Sequence, residues 1–467
     1  MALNPSILVD KFLAYTAVFR HAMGASLKSV AKGFVMNNII RCNFRELLLC
    51  LSNAQDLISP LLDSHQQQVA YLSYRLAEQL GLSAHERKEI FLAALVHDLG
   101  ALSTNELLSI TEHEPITAYN HAFKSAALIE GFRPLRPVAK IVKYHHVPWS
   151  DGQGLNFNGE AVPLYSHILH LADRVCAGLN QKSNVLSQLP GVLEGVNRRS
   201  GALFAPNFVA ALNKLSKKEY IWLDLTARRP VDMLPTQELF DNLSLDIDEI
   251  IDFAILFSRI IDFRSRFTAS HSAGVAKVAE SLSQLVGFSP IERKMMLIAG
   301  YLHDLGKLAI DNDILEKPNS LEPDEFNAMR AHTYYTYVLL DQIKQFDTIK
   351  VWAAYHHERL DGKGYPFHIS GDNLPLGARV MAVADVFTAI TEDRPYRRGM
   401  SMERATQVLN NMVDDGALDG NVVKAATDNF MFLQDIRAAA QRVAERQYQN
   451  FLGIPPQMPD AVALLIN

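Results

Sequence analysis

The segment His303-Asp304-Leu305-Gly306-Lys307 closes an apolar run, Met295 to Leu302. Buried charge is expensive unless it is paired or bound to metal, so an adjacent His and Asp at the end of a greasy helix calls for an explanation. Further along stand His332, the pair His356-His357 and Asp385, and upstream stands His271. Together they make five His and two Asp. Imidazole nitrogen and carboxylate oxygen are ligands that divalent transition metals favour. Seven such groups exceed the needs of one tetrahedral ion, which points to two metals sharing a bridging carboxylate. Sites of that kind are suited to hydrolysis of phosphate esters.

The elements that must position these groups read as helices. Val69, Leu72, Leu76 and Leu80 recur at spacings of three and four, one helix face within Gln66–Leu80. Gly81 follows as a C-cap candidate. Ser83 with Glu86 three residues later is a capping box, predicting a helix from there to Asp98. Period-two alternation is scarce, so the fold class expected is all-α. Residues 1–50 read as a helical segment that packs or pairs chains. Residues 223–248 are acidic and carry Pro230 and Pro235, and read as a linker. Ile247 to Arg266 is a helix that either packs two domains or pairs two chains. Helices are expected after Met402 and over 421–448, with an extended Pro-rich tail from Pro455.

An internal repeat organises the chain. His97-Asp98-Leu99-Gly100 copies His303-Asp304-Leu305-Gly306 at an offset of 206. His65 precedes His97 by 32 residues, as His271 precedes His303. His121 and His145-His146 match His332 and His356-His357, and Asp173 matches Asp385. The domain division expected is a segment 1–50, a first copy over 51–240 and a second over 241–467. The copies differ in places. Ala101 stands where the second copy has Lys307. Gly154-Leu155-Asn156 stands near the place of Gly364-Tyr365-Pro366. Leu179 to Lys182 stands where the second copy has Arg394-Pro395-Tyr396-Arg397.

Composition narrows the class. The chain has 467 residues, 48% hydrophobic and 21% charged, which suits a globular protein of two domains. A net charge of −6 argues against a broad surface for a nucleic-acid polymer. Three cysteines without a CxxC pair argue against a disulfide framework. The N-terminus lacks a signal-peptide pattern and no run of 18 apolar residues occurs, so a cytoplasmic protein with no membrane span is expected.

The second copy resembles the HD-GYP phosphodiesterases of the HD superfamily over roughly residues 250–400. The carrying motifs are His303-Asp304-x-Gly306-Lys307, His356-His357-Glu358, Asp361-Gly362-x-Gly364-Tyr365-Pro366, and Asp385 followed by Arg394-Pro395-Tyr396-Arg397. The first copy resembles a degenerate HD domain. The resemblance implies tandem HD helical bundles and hydrolysis of a cyclic dinucleotide, cyclic di-GMP or 3′,3′-cyclic GMP-AMP, to a linear dinucleotide and onward to mononucleotides. It implies that Asp304 bridges two ions, one completed by His271, His303 and Asp385 and the other by His332, His356 and His357. Iron and manganese are the expected ions. Lys307, Arg394 and Arg397 would meet substrate phosphates, and Gly364, Tyr365 and Pro366 would shape the site and offer a surface to protein partners. Glu358 and Asp361 would orient histidines or the loop. A homodimer also fits the family. Some members carry a Glu four residues before the first His, for a third metal. Here those positions are Phe267 and Leu61, so two metals are expected. In the first copy, His65, His97, Asp98, His121, His145, His146 and Asp173 form a candidate second metal set without the substrate-binding groups. The competing class is a non-catalytic tandem HD scaffold that binds a nucleotide or protein.

Overall fold

Gln66, Gln67 and Gln68 are buried although they are polar; the helix carrying them is packed on several sides. That helix, α2 (His65–Gln79), follows α1 (Phe44–Asp56). The computed structural model describes residues 40–454 apart from 59–63, 114–117, 181–182, 241–242, 266–267, 318 and 394–397. The expectations placed on residues 1–39, on Leu61 and Phe267, on Arg394 and Arg397 and on the Pro-rich tail lie outside the described residues.

The first domain continues with α3 (Ala84–Leu95), α4 (Ala118–Glu130), α5 (Ala139–Lys143) and α6 (Leu164–Ala177), with α2 packed between α3 and α6. The capping box at Ser83 and Glu86 forms as the sequence predicts. Gly81 takes φ +76, the left-handed conformation of a residue just past a helix end. The helix stops at Leu95 rather than Asp98, which leaves His97 and Asp98 in a turn where both side chains can face inward.

The second domain repeats the plan. It begins with α7 (Ile247–Asp262), whose capping box joins Asp246 and Glu249. Then come α8 (His271–Leu285), α9 (Pro290–Leu302), α10 (Pro323–Leu340), α11 (Asp347–Ala354) and α12 (Leu376–Thr391). Helix α8 packs between α9 and α12, as α2 does in the first domain. A Cβ at Gly300 would lie 2.4 Å from the Cα of Ala276, so the α8–α9 crossing needs a glycine. Three more helices follow: α13 (Met402–Asp414), α14 (Gly420–Asp428) and α15 (Phe430–Leu452). The single helix expected over 421–448 is broken at Asn429. Among the described residues the only strands are two two-residue ladders, so the fold is all-α.

From Arg41 onward the chain is one compact unit. Asn43 and Cys42 pair antiparallel with Ser244 and Leu245, tying the start of the first domain to the start of the second. Phe132 packs against Phe253 of α7 and Arg133 pairs with Glu249, so α7 joins the domains. Helix α1 reaches across as well, with Cys50 Sγ against the carbonyl of Leu339 and Asn53 on Gln342. The acidic segment expected as a linker is folded onto the first domain. Short helices Glu219–Leu225 and Thr236–Phe240 lie there. Two of its acids have fixed partners: Asp224 takes the hydroxyl of Tyr71, and Glu238 takes Tyr74 and Arg87. The three cysteines are buried and free. No helix among the described residues is long and apolar enough to cross a membrane.

Candidate metal centre

His303 caps the end of α9 and Asp304 follows in the turn. Helix α10 crosses close to this turn. A Cβ at Gly306 would lie 1.9 Å from the carbonyl oxygen of His332. Thr336 fastens the crossing: its hydroxyl accepts from Gly306 N at 2.9 Å and donates to His303 O at 3.0 Å. The motif glycine is thus a steric requirement for bringing His332 onto the His303–Asp304 turn.

Three of the histidines are each oriented by a backbone carbonyl three residues before them. His303 Nδ1 lies 2.8 Å from Gly300 O, His332 Nδ1 2.7 Å from Met329 O and His356 Nδ1 2.6 Å from Ala353 O. A carbonyl can only accept, so each Nδ1 carries the hydrogen, and where the ring is neutral its Nε2 lone pair points inward. His332 and His356 Nε2 stand 3.3 Å apart. Burial pushes His332 down to about 3 and His356 well below the usual imidazole value, so both rings are neutral. Two lone pairs at that distance repel unless a cation lies between them. The chemistry of the donor set therefore fits a metal.

Asp304 presents one oxygen to each side. Its Oδ2 is 3.2 Å from His303 Nε2 and its Oδ1 is 3.4 Å from His332 Nε2. Burial opposes its charge, yet His303 and Lys307 hold it well below the ordinary carboxylate value. His271 opens α8 and sets Nε2 3.1 Å from Asp385 Oδ1. Burial would lower His271, but Glu392 and Asp385 raise it to about 10. A divalent cation would compensate the same carboxylates in place of that proton. Two groups could hold ions: His271, His303 and Asp304 on one side, and His332, His356 and His357 on the other.

Lys307 is not a solvated helix-end lysine. Its Nζ reaches Asp304 Oδ2 at 2.6 Å. Glu358 holds the loop after the His pair, accepting from Phe367 N at 2.7 Å and Ile369 N at 3.0 Å. Asp361 pairs with Arg359 and accepts from Lys363 N. Both carboxylates therefore shape the loop, as expected. A Cβ at Gly364 would come within 2.5 Å of Arg359 N, so only glycine folds this loop against the histidines. The fold brings the ring of Tyr365 to 5.0 Å from His357, with the guanidinium of Arg330 5.0 Å from the centre of the Tyr365 ring. Gly364 is buried and Tyr365 and Pro366 are half-buried.

Sequence reasoning missed four groups. Glu392 takes His271 Nδ1 at 3.1 Å and is itself held by Gln441; its place two helical turns after Asp385 was a usable signal. Asp262 accepts from Ser272 at 2.7 Å, and burial pushes it up to about 7. An acid in the apolar face of α7 marked it. Arg330 and Arg264 carried no motif.

The first domain repeats the arrangement. His65 Nε2 lies 3.1 Å from Asp173 Oδ1, and His97 Nε2 3.2 Å from Asp98 Oδ2. His121 Nε2 lies 3.1 Å from Asp98 Oδ1 and 3.3 Å from His145 Nε2. Two groups there could hold ions too: His65, His97 and Asp98, and His121, His145 and His146.

Comparison with known proteins agrees with the repeat. HD-domain family models match residues 62–178 and, separately, 256–422. A 3′3′-cGAMP-specific phosphodiesterase 1 of Vibrio cholerae is 29% identical over 87% of this chain and 95% of its own length. A second from that organism, 3′3′-cGAMP-specific phosphodiesterase 3, is 33% identical over 56% of each chain. The cyclic di-GMP phosphodiesterase response regulator RpfG of Xanthomonas campestris is 38% identical over 32% of this chain and 41% of its own. A crystal structure of a cyclic GMP-AMP-specific phosphodiesterase of V. cholerae shares the fold, with a TM-score of 0.55 and 23% identity over 89% of this chain and 99% of that one. The chain thus carries two HD domains in tandem and is homologous to HD-GYP cyclic di-GMP and 3′3′-cGAMP phosphodiesterases.

Proposed function

We propose that the second domain is a metal-dependent phosphodiesterase that opens a cyclic dinucleotide, 3′3′-cyclic GMP-AMP or cyclic di-GMP, to the linear dinucleotide and onward to mononucleotides. The observation that carries this reading is the pair of neutral imidazoles, His332 and His356, facing each other at 3.3 Å beside a carboxylate with one oxygen toward each ligand group. The named relatives support the substrate class, and the one aligned over most of this chain makes 3′3′-cyclic GMP-AMP the first substrate to test.

His271, His303 and Asp385 would hold one ion and His332, His356 and His357 the other, with Asp304 between them. Divalent iron or manganese there would acidify water and offset charge on phosphoryl oxygens. The chain's own groups do the rest. Lys307, anchored on Asp304, presents an ammonium beside the ligand set. Arg330 and Tyr365 form a wall of guanidinium and ring next to His357, suited to a phosphate oxygen and a purine face. Arg394 and Arg397 are proposed as further phosphate ligands.

The test is product analysis with full-length protein and Mn²⁺ or Fe²⁺, on both cyclic dinucleotides, beside D304A. Linear dinucleotide from the wild type and none from D304A is the expected result. No turnover by the wild type across a full panel of divalent metals would favour the nucleotide-binding scaffold.

A further inference from the structure

We infer that the first domain holds a metal centre of its own, a closed site for divalent first-row transition ions that does no hydrolysis. The site is built rather than vestigial. The three contacts that define the second domain's cluster recur at nearly the same distances. The His–Asp contact across α2 and α6 is 3.1 Å, as it is across α8 and α12. The contact within the His–Asp dyad is 3.2 Å in both. The facing imidazole nitrogens are 3.3 Å apart in both. Two of the three orienting carbonyls are kept too, with Ala94 O 2.8 Å from His97 Nδ1 and Val142 O 2.7 Å from His145 Nδ1. A chain under no demand to bind metal has no reason to bury this set. His121 Nε2 stands 3.3 Å from His145 Nε2 and 3.1 Å from His146 Nε2, with all three rings buried, and a cation among them would draw the three nitrogens together.

The surroundings are what change, and every change closes the site. In the second domain His357 and Asp385 are half-buried, giving the cluster an open side. Their counterparts His146 and Asp173 are 3% and 1% exposed. Lys307 on Asp304 is replaced by Ala101, and Gln66 Nε2 lies 3.4 Å from Asp98 Oδ2 instead. The outer oxygen of Asp173 is taken by Arg174 at 2.8 Å. His170 stands at the place of Ala382 and brings its ring to 5.7 Å from that of His146 and 5.4 Å from that of Phe204. Where the second domain has Arg330, the first has Tyr119, and where it has Glu358 the first has Val147. Tyr119 and Val147 join Tyr144, Phe157 and Val162 in a buried apolar cluster. The place of the phosphate and purine contacts has become core.

Such a centre is a staple. It joins α2, the ends of α3 and α5, α4 and α6 at one point, and its binding free energy adds to folding.

The test is metal counting on the full chain. Wild type, D304A/H356A, and D304A/H356A with D98A/H145A added are stripped with a chelator, exposed to Mn²⁺, desalted and measured by elemental analysis. Mn²⁺ per chain should fall by half in D304A/H356A, and the remainder should go when D98A/H145A is added. The thermal midpoint of D304A/H356A should rise on adding Mn²⁺, and that of the fourfold variant should not. If the fourfold variant does not fold, D304A/H356A with H146Q replaces it and should lose at least tenfold in Mn²⁺ affinity. Loss of all Mn²⁺ in a folded D304A/H356A, or full retention after the first-domain changes, would overturn the inference. None of these readouts needs turnover, so the inference stands or falls apart from the proposed phosphodiesterase activity.

Discussion

Arg264 Nη1 donates to the carbonyl oxygen of Lys307 at 2.8 Å. The same guanidinium donates to the carbonyl of Leu102 at 2.9 Å, to Ile310 O at 3.1 Å and to Asn312 Oδ1 at 2.6 Å. One buried cation thus ties together the turns that follow the two His–Asp dyads. Burial pushes Arg264 down to about 10, with Asp311 resisting, so it is charged at neutral pH. In R264M those acceptors lose their donor, which should cost about 3 kcal/mol. We expect calorimetry of the full chain to show one transition in the wild type and two in R264M, as the seam between the domains weakens. An unchanged single transition would show that the seam does not depend on this residue.

Lys307 sits against Asp304 and should matter to rate more than to metal binding. In K307M, kcat on the cyclic dinucleotide should fall by about a hundredfold, while metal content stays at the wild-type level. Burial disfavours the ammonium, but Asp304 and Asp385 raise Lys307 above its ordinary 10.5. A raised lysine contributes stability that is complete below its unfolded value and is lost as pH rises through the folded value. No fall in rate between about pH 6 and 9 should therefore belong to Lys307. A basic limb in that range that disappears in K307M would contradict this assignment.

Gly306 and Gly100 are constrained by a crossing helix, not by backbone conformation. A Cβ would lie 1.9 Å from His332 O in one case and 2.4 Å from His121 O in the other. Neither backbone oxygen can move without shifting a candidate ligand. G306A should therefore destabilise by about 3 kcal/mol or more and lower the metal content of the second domain. G100A should do the same in the first, with a smaller loss. Urea unfolding together with elemental analysis checks both. A stable G306A with full metal would mean that α10 has room to retreat.

Much of this arrangement is legible in the residues. The helix of α2, the capping box at Ser83, the start of α7 and the repeat all follow from local patterns, which depend on near neighbours in the chain. Spacing also picks out the histidines and aspartates that converge. What the sequence hides is set by long-range packing. The acidic stretch 223–248 looks like a linker because nothing local reveals that Tyr71, Tyr74 and Arg87 await its carboxylates. Arg264 has no periodicity or motif to announce it, since its partners are mostly backbone carbonyls. The closure of the first cluster is likewise invisible in its ligands and shows only in what surrounds them.

Arg330 follows from the same contrast between the copies. Its guanidinium lies 5.0 Å from the centre of the Tyr365 ring, and that ring is 5.0 Å from His357. The first domain has Tyr119 at the matching place, buried in an apolar cluster. A guanidinium held on a ring beside the candidate ligands would meet an anionic substrate rather than a metal ion. R330A should therefore raise KM for the cyclic dinucleotide by about tenfold, a loss of ~1.4 kcal/mol in binding, while kcat changes little. Y365A should remove the support and give a similar effect, and the double variant should be little worse than either single one because the two groups act together. Steady-state kinetics on the three variants, with metal content measured in parallel, decides it. Fully additive losses would mean that the two side chains contact substrate independently, and an unchanged KM in R330A would remove Arg330 from the site.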